Sequence, residues 1–224
     1  MTSGARTGLY GKHPAFGDFL QAGLSRETTE ALGRWLDPTL AAIRRETGAD
    51  WKAFWQDGQA LRFWAGKAVF GKTVAGILRP SRDRVSRDYP LILAVEGAAV
   101  PLPGHDGTTD QHLWARMESH LNMTRPGAGA ASLIAGFDPG VPPEDRTAAP
   151  AALSAHHPEG DLDALLRAAG RADADHATLS RTYWWAPPGP DRLPLWLACQ
   201  GLPAEGSLRW LIGGIRRTGD PHGS

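Results

Sequence analysis

Between residues 61 and 95 the chain runs through three apolar, β-forming segments whose connections are too short to hold a crossover helix. They are 61–65 (LRFWA), 68–78 (AVFGKTVAGIL) and 89–95 (YPLILAV), and the polar turn 80–87 (PSRDRVSR) separates the last two. Parallel neighbours need a connection of about a dozen residues or more, so these segments pair antiparallel. Whatever surrounds them has to be built on an antiparallel sheet.

The flanking sequence supplies helices for that sheet. Ser25 reads as an N-cap with Glu27 in the first turn, followed by Leu32, Trp35 and Leu36 at helical spacing. Asp37-Pro38 reads as the cap and first residue of a second helix carrying Leu40 and Ile43. Asp50 reads as the cap of a further short helix with Trp51, Phe54 and Trp55. Upstream, 7–11 (TGLYG) is a short strand that runs into the loop KHPAFGDF. Downstream, 109–123 is a helix with Leu113, Trp114, Met117 and Leu121 on one stripe.

Residues 139–160 hold five prolines and little periodicity, and read as a flexible connection. Beyond it come a helix at 161–169, strands at 182–186 and 195–199, and a helix at 207–212. This remainder is too small to bury a core of its own and is expected to complete the same sheet. The nine tryptophans are assigned mainly to the core. The expected fold is α+β: an α/β/α sandwich with a largely antiparallel central sheet, one domain over 1–213, and a frayed tail at 214–224.

Composition removes several functions. Lys plus Arg and Asp plus Glu number 24 each, with the signs mixed along the chain, so no nucleic-acid or anionic-membrane partner is expected. Charge-free stretches such as 126–137 (PGAGAASLIAGF) are too short and glycine-rich to span a bilayer, and the first residues, without an apolar h-region or a small-residue cleavage site, are not expected to act as a secretory leader. Cys199 is the sole cysteine, which excludes a disulfide framework and any multi-thiolate zinc site. The expected setting is the cytoplasm, and no cofactor is expected.

One motif argues the other way. Residues 66–73 (GKAVFGKT) fit G-x-x-x-x-G-K-[ST], the phosphate-binding loop of many ATPases and GTPases, and 91–96 (LILAVE) resembles its acidic magnesium-side strand. A phosphate loop works by leading directly into a helix N-terminus. Here Thr73 is followed by VAGILRP, whose β-branched residues, glycine and proline make a poor helix. The segment is read as two strands meeting at a glycine turn, with its lysines toward solvent. A nucleotide-dependent switch remains the alternative to a binding module.

Other candidate chemistry is thin. His105, Asp106, Asp110 and His112 match no compact metal-ligand spacing, and His156-His157 lies in the proline-rich connection. Ser81 and Ser86 lack a G-x-S-x-G nucleophile elbow. Cys199 sits in an apolar strand pattern and reads as an inert thiol.

Two polar stretches carry more information. The first is 11–19 (GKHPAFGDF), where glycine and proline fix a backbone shape and Asp18 is placed to make an Asx-type turn. The second is 79–88 (RPSRDRVSRD), with four arginines and two aspartates whose alternation permits arginine–carboxylate forks. A charged hairpin tip and a partner-docking surface are equally compatible with that pattern.

Together the two stretches resemble the TagF (also called ImpM) family of type VI secretion-associated proteins. The family shows a G-K-x-P-x-x-G-D-F run after its first strand, matched by YGKHPAFGDFLQAGL. It also shows a Pro-Ser-x-Asp-Arg-Val-Gly-Arg run before a Phe/Tyr-Pro-Leu strand, matched by GILRPSRDRVSRDYPLILA with Ser86 in place of the usual glycine. Residues 7–96 carry the match, which continues through Trp35, Trp51 and LRFWAG.

The resemblance implies a longin-like α/β/α sandwich and a cytoplasmic, non-catalytic repressor of type VI secretion. It would act after translation on the forkhead-associated-domain scaffold protein of that system. In some bacteria the module is fused to a PppA-like phosphatase, for which this chain leaves no room, making such a phosphatase a second conceivable partner. The motif residues carried over are Lys12, Pro14, Gly17, Asp18 and Phe19 in the first stretch. In the second they are Ser81, Asp83, Arg84, Val85 and Arg87.

Overall fold

The computed structural model describes residues 4–105, 109–145 and 153–217. Seven strands form one sheet in the order β2-β1-β5-β4-β3-β6-β7. They are β1 (Arg6–Gly11), β2 (Leu20–Ala22), β3 (Leu61–Ala65), β4 (Val74–Arg79), β5 (Leu91–Glu96), β6 (Arg181–Ala186) and β7 (Leu195–Gln200). Every neighbouring pair is antiparallel. The three segments at 61–95 thus form the centre of the sheet, and the two strands after residue 180 extend the same sheet. The three-residue edge strand β2 has no alternating pattern long enough to be visible in the sequence.

Alternation along each strand divides the buried side chains between two faces. On one face Leu61, Phe63, Leu78, Ile92 and Trp184 meet α1 (Arg26–Thr47), α2 (Trp51–Asp57) and α6 (Glu205–Gly213). On the other, Leu9, Trp64, Ile77, Leu93 and Trp185 meet α4 (His112–Met123). The result is the expected α/β/α sandwich. Buried indoles hydrogen-bond as they pack: Trp64 Nε1 donates to the Val100 carbonyl at 2.8 Å and Trp114 Nε1 to that of Phe63 at 3.0 Å.

Several local expectations are corrected. Asp37-Pro38 does not start a new helix, because α1 runs unbroken through Pro38. The proline ring and Arg34, whose carbonyl loses its donor, both lie on the exposed face. The opposite face keeps Leu32, Leu36, Leu40 and Ile43 buried in one stripe, and that burial outweighs the local break. Ser25 does cap the helix, accepting the Thr28 N–H.

Residues 68–78 are not one strand. A single helical turn, α3 (Lys67–Phe70), ends at Gly71 in the left-handed conformation (φ 76°), and β4 begins at Val74. The helix after residue 160 is longer than expected, α5 (Leu162–Thr178), and capped by Asp161. The proline-rich connection is tied down at its start: Ala98 bridges Pro143, and the Glu144 N–H donates to the Gly97 carbonyl at 2.9 Å. Residues 146–152 of that connection lie outside the described residues.

The tail is paired over 214–217. Arg216 bridges Arg192 and places Nη2 2.7 Å from Asp57 Oδ2 and Nη1 2.7 Å from Asp191 Oδ2. Residues 218–224 lie outside the described residues.

Candidate functional site

β1 and β5 pair so that Gly11 faces Leu91, which brings the loop after β1 against the turn before β5. The approach is close enough to demand glycine. A Cβ on Gly11 (φ 126°) would stand 1.9 Å from the Pro90 carbonyl oxygen.

Asp83 joins the two loops. Its side chain is fully buried, and Oδ1 accepts the N–H groups of Val85 (3.1 Å) and Arg87 (2.8 Å). Oδ2 lies 2.6 Å from Arg87 Nε and 3.2 Å from Lys12 Nζ. Arg87 Nη2 then reaches across to the Gly17 carbonyl at 2.5 Å, and the Arg84 N–H donates to the Phe16 carbonyl at 2.8 Å. Burial works to raise the Asp83 carboxyl, but the Arg87 backbone N–H, the Arg87 guanidinium and Lys12 outweigh it and hold it well below the usual carboxylate range.

Both ends of the turn are anchored by stacked indoles of α2. Trp51 and Trp55 lie 4.9 Å apart with rings inclined by 22°. Trp55 Nε1 donates to the Ser81 carbonyl at 2.7 Å, and Trp51 Nε1 to Asp88 Oδ2 at 3.0 Å. Between them the backbone reverses through Ser86 at φ 65°, a conformation glycine adopts more cheaply. On the neighbouring flank Phe19 packs edge-on against Tyr10 (4.8 Å) and Tyr89 (5.2 Å).

The motif residues therefore divide. Lys12, Gly17, Ser81, Asp83 and Arg87 are engaged with one another or with α2 and set the geometry. Pro14, Asp18, Phe19, Arg84 and Val85 are exposed, Phe19 at 43% and Val85 at 63%. Asp18 makes no side-chain hydrogen bond among the described residues; the Asx-type role expected of it is filled by Asp83. Arg84 has no ion pair among the described residues either, and its guanidinium rides over Gly17. Sequence reasoning missed Asp88, Tyr89 and the anchoring role of Trp51 and Trp55, although the four-residue Trp spacing was visible.

The phosphate-loop look-alike is built differently from a phosphate loop. Thr73 leads into strand β4, not a helix. The Thr73 N–H, which would face a phosphate, donates to the Glu144 carboxylate at 2.9 Å and 3.1 Å. Lys72 does not face solvent as expected: Nζ lies 3.1 Å from Ser25 Oγ and 3.7 Å from the buried Glu96 carboxylate. That carboxylate also accepts from the Ser25 N–H (2.9 Å) and the Thr28 hydroxyl (2.6 Å), at the start of α1.

Elsewhere, His105 pairs with Asp175 at 2.9 Å, and Cys199 Sγ lies half-buried 3.2 Å from Thr182 Oγ1. Asp106 lies outside the described residues. Among the described residues no group of three or more His, Cys, Asp or Glu is placed to hold a metal, and no helix is long and apolar enough to cross a membrane.

The fold class is thus an antiparallel α/β/α sandwich in which the buried Asp83 network joins two loops. The family model described as "TagF N-terminal domain, Type VI secretion system-associated" matches residues 8–134. The chain belongs to the TagF family and is a type VI secretion-associated protein. It is also similar to a solved structure, PA0076 from Pseudomonas aeruginosa PAO1, at 25% identity and a TM-score of 0.68, covering 97% of this chain and 99% of that one. No curated protein matches it.

Proposed function

We propose that this chain is a non-catalytic, cytoplasmic repressor of type VI secretion that engages the forkhead-associated-domain scaffold protein of the system through its two motif loops. The supporting observation is the division of labour around Asp83. A buried ion-pair network fixes two distant loops, while Phe19 and Val85 are exposed and the charges of Asp18 and Arg84 have no ion-pair partner among the described residues. Rigid presentation lowers the ordering cost of binding, and exposed aromatic and arginine side chains are favoured anchors at interfaces. A PppA-like phosphatase is a second candidate partner for the same surface.

The test is co-purification with the forkhead-associated protein of the same secretion system, alongside measurement of effector secretion. Capture, together with raised secretion on deletion, is the expected result. Absence of capture with unchanged secretion would discard the reading.

A further inference from the structure

Arg79 closes β4 with its guanidinium half-buried. Among the described residues its one hydrogen-bond partner is the Asn122 amide oxygen, at 3.4 Å, and it has no carboxylate. Burial pulls its pKa down, and its charge adds to the effect of burial in pulling down that of His13. Partly dehydrated guanidinium groups are normally matched by an anion, because the lost hydration has to be replaced.

Arg79 opens onto a cavity of about 430 Å³ shared with Pro14, Trp55, Gln56, Ser81 and Arg82. Arg82 brings a second guanidinium, 3.6 Å from Asp88 Oδ1. With the Gln56 amide turned so that its oxygen faces Arg82, that oxygen lies 2.9 Å from Arg82 Nη2. Asp88 and Gln56 thus partly satisfy Arg82, whereas no carboxylate among the described residues matches the charge of Arg79. Two planar guanidinium forks and a hydroxyl around one concave space are the donors an oxyanion requires.

We propose that this cavity binds an oxyanion, a carboxylate or a phosphoryl group, with Arg79 supplying the charge and Arg82 and Ser81 completing its hydrogen bonds. The cavity is lined by Pro14, Ser81 and Arg82 of the same two loops but by none of Asp18, Phe19, Arg84 and Val85, so its anion response is read independently of scaffold binding.

The test is thermal unfolding of the full chain in potassium phosphate, potassium acetate or potassium chloride at matched ionic strength. Wild type is compared with Arg79→Met, Arg79→Lys and Arg82→Gln. A bound anion raises the midpoint saturably over that in chloride. Phosphate acting alone identifies a phosphoryl ligand, and acetate acting as well as phosphate identifies a carboxylate. Arg79→Met is expected to be at least as stable as wild type in chloride, since it removes an unmatched charge, and to lose the anion response. Arg79→Lys keeps a weakened response, and Arg82→Gln weakens apparent affinity by about tenfold. Equal midpoints in all three salts would overturn the proposal. So would a response undiminished in Arg79→Met, which would mark general anion stabilisation of the fold.

Discussion

The Lys12 ammonium lies 3.2 Å from Asp83 Oδ2, tying the loop after β1 to the turn before β5. Lys12 is itself only 14% exposed, so both partners of the pair lie largely out of water. The contact lies beneath the displayed residues and holds them in place.

Asp83 gives the first prediction. Its folded-state pKa is depressed relative to the unfolded chain, so between the two values the unfolded state binds more protons and stability rises with pH. The contribution is complete above the unfolded carboxylate range, about pH 4 to 5, and is lost as pH falls below it. In denaturant titrations from neutral pH to well below pH 4, Asp83→Asn is expected to be less stable than wild type at neutral pH, with the gap narrowing toward acid. A gap that stays constant with pH would show that Asp83 acts through shape alone.

Ser86 is the one described non-glycine residue at positive φ. Replacing it with glycine removes the steric cost of that conformation at the expense of some backbone entropy. A net stabilisation of about 0.5–1 kcal/mol is expected for Ser86→Gly, measured as a rise in the denaturation midpoint at unchanged m-value. A loss of stability would mean that the serine hydroxyl does more than accommodate the turn.

The docking surface is tested by residues that hold nothing together. Asp18→Lys combined with Arg84→Glu reverses both unpaired charges and is expected to shift stability by no more than about 0.5 kcal/mol. Capture of the forkhead-associated partner is expected to fall at least tenfold. Lys12→Ala or Arg87→Ala is a poorer probe, because each disturbs Asp83 before it disturbs any partner.

Glu96 gives a stability prediction away from that surface. Glu96 is 1% exposed, and its carboxylate receives the Ser25 N–H, the Ser25 and Thr28 hydroxyls and the Lys72 charge. Glu96→Ala strands those donors and is expected to cost about 3–5 kcal/mol in chemical unfolding. Lys72→Met, which removes a longer and more exposed partner, is expected to cost clearly less.

The fold was legible where pattern and burial agree. The run 61–65 and the strands after residue 180 carry enough β-forming residues to be assigned, and short connections made the sheet antiparallel. Pro38 misled because a local helix-breaking rule was overridden by a stripe of buried leucines that forms only in the assembled core. The pinned tail was invisible, since the Asp57, Arg192 and Arg216 cluster joins positions distant in sequence. At the site, the turn stood out by its charge, but nothing local showed that Asp83 points inward and Asp18 outward. That distinction is made by Lys12 and the Gly17 carbonyl, which arrive from the other loop.

The span between those two loops has a consequence for synthesis. Arg87 and the Gly17 carbonyl are separated by 70 positions, and they meet only once β5 has added to β1. A nascent chain, a fragment ending after residue 88 but before β5, or a misfolded copy therefore carries both motifs without displaying the surface they form. Only a chain with β5 paired to β1 presents it, so a partner that recognises the paired loops would count intact copies and ignore broken ones.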